Sequence, residues 1–72
     1  MPYDTLADLP DSVREHLPQH AQEIYRAAFN AAWRLYGKRE PERIEEIARR
    51  VAWAAVKKRY RKEGEDWVEG NR

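Results

Sequence analysis

The sequence Val51-Ala52-Trp53-Ala54-Ala55-Val56 decides how this chain folds, because it places six uncharged residues inside a strongly charged segment. At about 100° per residue, these positions cover every side of a helix. A surface helix carries one apolar stripe, whereas a helix that is apolar all round has to be enclosed. A single partner helix covers the side formed by Ile44, Ala48, Val51 and Ala55. The other side requires a second covering element and is formed by Trp53, Val56 and Tyr60.

Length and composition predict one small domain over residues 1–72 that depends on apolar burial. Seventy-two residues lie near the lower limit for a stable single core, and the chain has no cysteine for a disulfide or a thiolate metal site. Its longest apolar run is far shorter than the roughly 20 residues of a membrane span. Residues 1–30 lack a basic start followed by an apolar block. We expect a soluble cytoplasmic protein without membrane insertion.

Two helices are predicted in the first half, over residues 10–16 and 18–36, each opened by a proline. The second has an apolar face at three- and four-residue spacing, formed by Ala21, Ile24, Tyr25, Ala28, Phe29, Ala32 and Tyr36. Gly37 is placed to end this helix in a left-handed conformation. Only a few residues follow before the next helix, so the two helices are expected to run antiparallel.

A third helix is predicted from Pro41 to Gly64, with acidic residues in its early turns and basic residues near its end, as the helix dipole favours. Extended segments at residues 3–5 and 67–68 are expected to pair and to pack on the helices. The predicted fold is therefore all-α, with three helices, one of them short, and a small two-stranded antiparallel sheet formed by the termini.

No catalytic or metal site is expected. His16 and His20 have the spacing of a helical metal pair, but Pro18 lies between them and no third strong ligand is nearby. His20 is better explained as support for the start of the helix. The chain has three glycines and no cysteine, so it offers neither a phosphate-cradling loop nor a thiol nucleophile. We expect a non-enzymatic protein without a cofactor.

The candidate binding residues are basic and fall within about 40° of one another on the predicted third helix: Arg43, Arg50, Lys57 and Arg61. Trp53 and Tyr60 lie beside this basic stripe. Basic residues next to aromatic ones suit single-stranded nucleic acid, whose phosphates and bases each take one kind of group. The alternative is a solvated charged face that meets the acidic first half, with both aromatic residues in the core.

Several motifs together closely resemble the ChaB family. They are Asp8-Leu9-Pro10, Val13, Leu17-Pro18-x-His20-Ala21-Gln22, Ile24-Tyr25, Ala28-Phe29-Asn30, Ala32-Trp33, the residues from Val51 to Lys57, Tyr60 and Trp67. The resemblance implies a small helical protein with a small sheet. It also implies a regulator of cation transport that acts through a protein partner, with a calcium or sodium–proton antiporter as the candidate. A nucleic-acid-binding accessory protein is the alternative function.

Overall fold

The computed structural model describes residues 2–70. Its elements, in chain order, are a 3-10 turn (Leu6–Asp8), α1 (Asp11–His16), α2 (Gln19–Tyr36), α3 (Ile44–Arg59), β1 (Tyr60–Glu63) and β2 (Asp66–Glu69). The three predicted helices, including the short one, are confirmed. The fold also contains a two-stranded antiparallel sheet, so the description as all-α is only approximate.

Helices α2 and α3 pack against each other in antiparallel directions. His20 near the start of α2 meets Tyr60 just after α3, and Tyr25 meets Trp53 in the middle of both helices. The end of α2 meets the start of α3, where Trp33 and Ile44 line one surface depression. The predicted antiparallel arrangement is therefore confirmed.

Most core residues recur every fourth position, and Ala32, three residues after Phe29, is also buried. In the first half of the chain these buried residues are Leu9, Val13, Leu17, Ala21, Tyr25 and Phe29. In the second half they are Ile44, Ala48, Ala52, Val56 and Tyr60. Rows of residues four apart form one of the ridges by which helices interlock. The small alanines in both rows let the two helix backbones approach closely.

The middle of α3 is not enclosed on all sides, so that expectation was wrong. Val51 is 36% exposed, and Ala54 is exposed as well. The buried row on α3 takes Ile44 and Ala48 from one of the two predicted sides and Val56 from the other. Small or lone apolar residues outside this row face water at little cost. The expected second covering element exists, because Trp67 of β2 packs on Trp53 with ring centroids 5.5 Å apart.

The predicted two-stranded antiparallel sheet is present and contains residues 67–68 as predicted, but its other strand was wrongly assigned to residues 3–5. Residues 67–68 pair with β1, where Arg61 lies opposite Val68 and Lys62 lies opposite Trp67. Residues 60–63 were expected to continue the third helix to Gly64. They are extended instead, because Tyr60 leaves the helical region with φ −128° and ψ 154°. Gly64 therefore lies in the hairpin turn, with φ +64°.

The segment at residues 3–5 docks on α2 instead of on the sheet. The Tyr3 N–H donates to Asn30 Oδ1 at 2.9 Å, and Asn30 Nδ2 donates to the Tyr3 carbonyl at 2.9 Å. Arg26 Nη1 donates to the same carbonyl at 3.1 Å, and the Tyr3 ring lies 4.7 Å from that of Phe29. One asparagine side chain thus satisfies both backbone groups that a strand partner would otherwise take.

Two helix ends also differ from the predictions. Gly37 has φ −59° and ψ −36°, so it continues the right-handed course into a turn instead of adopting a left-handed cap. A glycine is favoured there because a Cβ atom would lie 2.6 Å from the Trp33 carbonyl oxygen. Helix α3 begins at Ile44 and not at Pro41, because Arg43, with φ −119° and ψ 6°, is outside the helical region.

Phe29→Ala should destabilise the protein by about 3–5 kcal/mol, because Phe29 is 1% exposed at the centre of the core. A chain of this size has only about 5 kcal/mol of stability, so the variant should melt far lower or fail to fold. Leu35→Ala is the control, since Leu35 on the same helix is 65% exposed, and should change stability by less than about 0.5 kcal/mol. Urea unfolding followed by circular dichroism measures both. Equal midpoints for the two variants would contradict this core.

Asn30→Ala should release the N-terminal segment from α2. The loss of two hydrogen bonds to Tyr3 is expected to cost about 1–2 kcal/mol and to speed hydrogen exchange at the Tyr3 amide. Arg34→Ala, on the exposed side of α2, should leave that exchange rate unchanged. Unaltered Tyr3 protection in the Asn30 variant would refute the docking.

Candidate functional site

One shallow cleft brings together aromatic and basic side chains from three separate elements. It has a volume of about 360 Å³ and is lined by Ser12, His16, Trp53, Lys57, Lys62 and Trp67. We call it the tryptophan cleft. The four polar side chains are exposed and both tryptophans are half-buried, so the cleft is open to solvent.

Each element contributes a pair of neighbouring residues to the tryptophan cleft. On α1, Ser12 and His16 are four residues apart, as are Trp53 and Lys57 on α3, and this spacing places both members of a pair on one helix face. On the hairpin, Lys62 of β1 lies directly opposite Trp67 of β2. The cleft therefore forms only when α1, α3 and the hairpin are packed together.

The two tryptophans are held in place by aromatic packing. Trp53 meets Tyr25 edge to face, with ring centroids 5.3 Å apart and an interplanar angle of 77°. Trp67 lies 5.5 Å from Trp53 at 35°. Tyr25 is itself buried, so Trp53 is anchored on the core while part of its ring faces the cleft. Such pairs stabilise an ordered apolar surface that remains accessible.

The charge of the tryptophan cleft is basic. Lys57 and Lys62 stand on different elements, and the His16 imidazole lines the same cleft. In the described part of the chain, none of the residues lining the cleft is a carboxylate. The His16 ring is oriented by its Nδ1, which lies 2.7 Å from the Ser12 carbonyl oxygen. The arrangement suits a ligand that is apolar in one part and anionic in another.

The four residues of the predicted basic stripe are all exposed, but they do not share one helix. Arg43 precedes α3 and Arg61 lies on β1, so the helical alignment was wrong for these two. Arg43 Nε and Arg50 Nη2 both approach Glu46, at 4.0 and 3.3 Å. Arg61 binds Glu63 at 2.6 Å and donates to the Gly70 carbonyl. Only Lys57 lines the tryptophan cleft.

The two histidines have separate structural surroundings. His20 Nδ1 lies 3.1 Å from the Tyr60 hydroxyl, and the rings meet edge to face. Burial raises the pKa of the Tyr60 phenol above its usual value. His16 faces the tryptophan cleft instead. Among residues 2–70, no three metal-binding side chains come together in a cluster.

The tryptophan cleft was not predicted from the sequence as a single site. Sequence reasoning named Trp53 and Lys57, but it assigned Lys62 to the third helix and gave no site role to Ser12 or Trp67. The sequence does contain an indication of the hairpin. The dipeptide Gly64-Glu65 lies between two short segments of similar length, and a glycine at the first position is typical of a two-residue hairpin turn. That turn would have placed Lys62 opposite Trp67.

Comparison with known proteins identifies close relatives. The family model described as ChaB matches residues 9–69. Two proteins named "Putative cation transport regulator ChaB", from Escherichia coli (strain K12) and Shigella flexneri, are each 53% identical to this chain, over 92% of both chains. The solved structure titled "NMR solution structure of the putative cation transport regulator ChaB" is 47% identical, with a TM-score of 0.83. That match covers 97% of this chain and 100% of the other.

Gly64→Ala should loosen the hairpin and with it the tryptophan cleft. The residue has φ +64°, a conformation that costs an L-residue about 1–2 kcal/mol, although no atom lies within 4 Å of the added Cβ. We expect faster amide exchange throughout β1 and β2 and a shifted Trp67 indole resonance. Glu65→Ala is the control, because positive φ in the described residues occurs only at glycines. Equal exchange in both variants would show that the turn does not restrain the cleft.

Proposed function

This chain belongs to the ChaB family, and on that premise we propose that it is a non-enzymatic regulator of cation transport that acts by binding a protein partner. The names of its close relatives support the regulatory role. The binding mechanism is our own inference and rests mainly on the tryptophan cleft.

The observation that carries the proposal is the presence of two half-buried, mutually packed tryptophans on an open surface of a very small protein. Tryptophan is enriched at the energetic centres of protein interfaces, because one ring buries a large area at little cost in conformational entropy. Half-exposed rings that are anchored on the core provide such a centre. The exposed lysines beside them would form its polar rim.

The proposed partner is a cation antiporter, as the family resemblance implies. None of the helices within residues 2–70 is long and apolar enough to span a membrane. The proposed contact is with a segment of the antiporter that is exposed to water. The exposed arginines of the basic stripe, Arg43, Arg50 and Arg61, are proposed as outer contacts to the same partner. Lys57 belongs to both the stripe and the cleft.

A transport assay with everted membrane vesicles tests the proposal. The vesicles contain a calcium or sodium–proton antiporter from the same cell, and cation-driven collapse of the pH gradient is followed with and without the purified chain. We expect the chain to change the exchange rate. Lys57→Glu with Lys62→Glu should remove the effect, because it reverses the charge of the tryptophan cleft. Lys58→Glu with Arg59→Glu makes the same charge change outside the cleft and should retain it.

The two possible failures have different meanings. Transport that does not respond to the unmodified chain would refute regulation of that antiporter. A response that survives the Lys57 and Lys62 reversals would show that the tryptophan cleft is not the contact. Binding of a labelled single-stranded oligonucleotide that weakens steeply between about 50 and 200 mM salt would instead favour the nucleic-acid alternative.

A further inference from the structure

We propose that a second surface site binds a short segment of a partner protein that carries one aromatic side chain next to an acidic residue. The site lies where the end of α2 meets the start of α3, at the end of the helix pair away from the hairpin. We call it the Trp33 depression. It has a volume of about 440 Å³ and is lined by Trp33, Arg34, Gly37, Lys38, Pro41 and Ile44. The inference goes beyond the proposed function, because neither the tryptophan cleft nor the basic stripe contributes a residue to this site.

The apolar contact surface of the Trp33 depression is provided mainly by Trp33. Its ring stacks on the buried ring of Phe29, with centroids 5.8 Å apart and an interplanar angle of 26°. Trp33 itself is half-buried, so the core fixes the orientation of a ring that remains partly accessible. Pro41 and Ile44 add aliphatic surface beside it. Because ligand pockets range over about 300–1,000 Å³, a depression of this size suits one large side chain.

The connection between the two helices forms an ordered wall of the Trp33 depression. The N–H groups of Arg39 and Glu40 both donate to the Tyr36 carbonyl, at 3.1 and 2.9 Å. The Arg43 N–H donates to the Glu40 carbonyl at 3.0 Å. Pro41 lies between these turns, and its ring fixes the backbone angle φ. The wall is therefore in place before a ligand arrives, which lowers the entropic cost of binding.

The acidic part of the bound segment is specified by Arg34 and Lys38. The two residues are four positions apart and exposed, and Gly37 continues the right-handed course of α2 between them, so both side chains lie on one side. Within residues 2–70, neither side chain forms an ion pair or a hydrogen bond. No carboxylate of this part of the chain lines the depression. A carboxylate next to the seated aromatic side chain would therefore meet two cations without displacing an existing partner.

The charges around the Trp33 depression also favour an acidic ligand. Residues 34–43 contain four basic side chains and two acidic ones, which is a net charge of +2. The two acids, Glu40 and Glu42, line a separate depression together with Arg39 and Arg43, so two cations accompany them there. Such an excess of positive charge speeds association with acidic segments and disfavours basic ones.

The acidic residues in the first turn of α3 are likewise accompanied by cations. Glu46 is approached by two arginine side chains, at 4.0 and 3.3 Å. Burial raises the pKa of the Tyr3 phenol, Glu45 raises it further and Arg49 lowers it, so Glu45 and Arg49 both act at Tyr3. Neither of these two acids lines the Trp33 depression.

A short segment fits this site better than an extended anionic surface does. A nucleic-acid strand or an anionic bilayer would reach beyond the Trp33 depression and meet the exposed carboxylates of Glu40 and Glu42. A segment that seats one side chain in the depression contacts only its lining, where the charged groups are cations. The partner we propose is therefore a protein segment.

Nuclear magnetic resonance titration of the full chain tests the inference. The probe is a short synthetic peptide with glutamates on both sides of one phenylalanine, and both of its ends are blocked so that they carry no charge. The indole N–H signal of Trp33 should shift as peptide is added. The signals of Trp53 and Trp67 should not shift, because both rings lie in the tryptophan cleft. These two residues are internal controls within the same sample.

Matched variants of the protein and of the peptide separate the two parts of the recognition. Arg34→Gln and Lys38→Gln should each weaken binding by about two- to fivefold, as expected for exposed ion pairs. Arg39→Gln removes the same charge next to Lys38 but outside the Trp33 depression, and should leave the affinity unchanged. A peptide with glutamine in place of glutamate and one with alanine in place of phenylalanine should both bind more weakly. The melting temperature of each protein variant is measured alongside and should stay unchanged, since all three side chains are exposed.

Four results would overturn the inference. The first two are no shift of the Trp33 signal at about millimolar peptide and a shift of the Trp53 and Trp67 signals in its place. The third is equal binding of the glutamine peptide. The fourth is displacement of the acidic peptide by a lower concentration of a single-stranded oligonucleotide or of anionic lipid vesicles. All four are measured on the purified chain without an antiporter, so a failure of the proposed regulation of transport would leave this test unaffected.

Discussion

The contact between α2 and α3 is the constraint on which the rest of the structure depends. Each helix contributes a row of buried residues four positions apart, and the rows contain alanines at Ala21, Ala48 and Ala52. Small side chains bury little area themselves, but they let the helices approach until Tyr25, Phe29 and Val56 are fully covered. In a chain without disulfides, this packing has to supply most of the stability. The hairpin and the N-terminal segment then attach to surfaces that the helix pair provides.

The helices were predictable because their signals are local and agree with one another. Proline at the start, a period of 3.6 and a short connection all specify α2 and its antiparallel neighbour. The end of α3 was not predictable in the same way. Basic residues after Lys57 suit a helix end, but they suit an exposed strand equally well, so charge alone could not locate the change at Tyr60. The change from helix to strand at Tyr60 depends on tertiary contacts, because Tyr60 is buried and its hydroxyl forms a hydrogen bond with His20, forty positions earlier.

The N-terminal segment shows a different reason for error. An extended stretch with free backbone groups was correctly expected, and two extended stretches in one chain favour the hypothesis that they pair. The structure satisfies the backbone groups of Tyr3 with the side chain of Asn30, which is not part of the apolar face predicted for α2. Helical periodicity distinguishes apolar from polar faces. It does not show which polar side chains form the backbone hydrogen bonds that a neighbouring strand would otherwise provide.

The same reasoning explains why the candidate site was only partly predictable. Trp53 and Lys57 share a helix and could be related by spacing, whereas Lys62 and Trp67 are related through a turn that was read as helix. The basic stripe appeared continuous because one helix was extended across Arg43 and Arg61, which lie outside it. In the structure the two tryptophans join the core to the surface, since Trp53 packs on buried Tyr25 and Trp67 packs on Trp53. Burial of one part of these rings fixes the orientation of the part that remains exposed. Because α1, α3 and the hairpin each provide a wall, the same packing that stabilises this small fold also preorganises the cleft for a ligand.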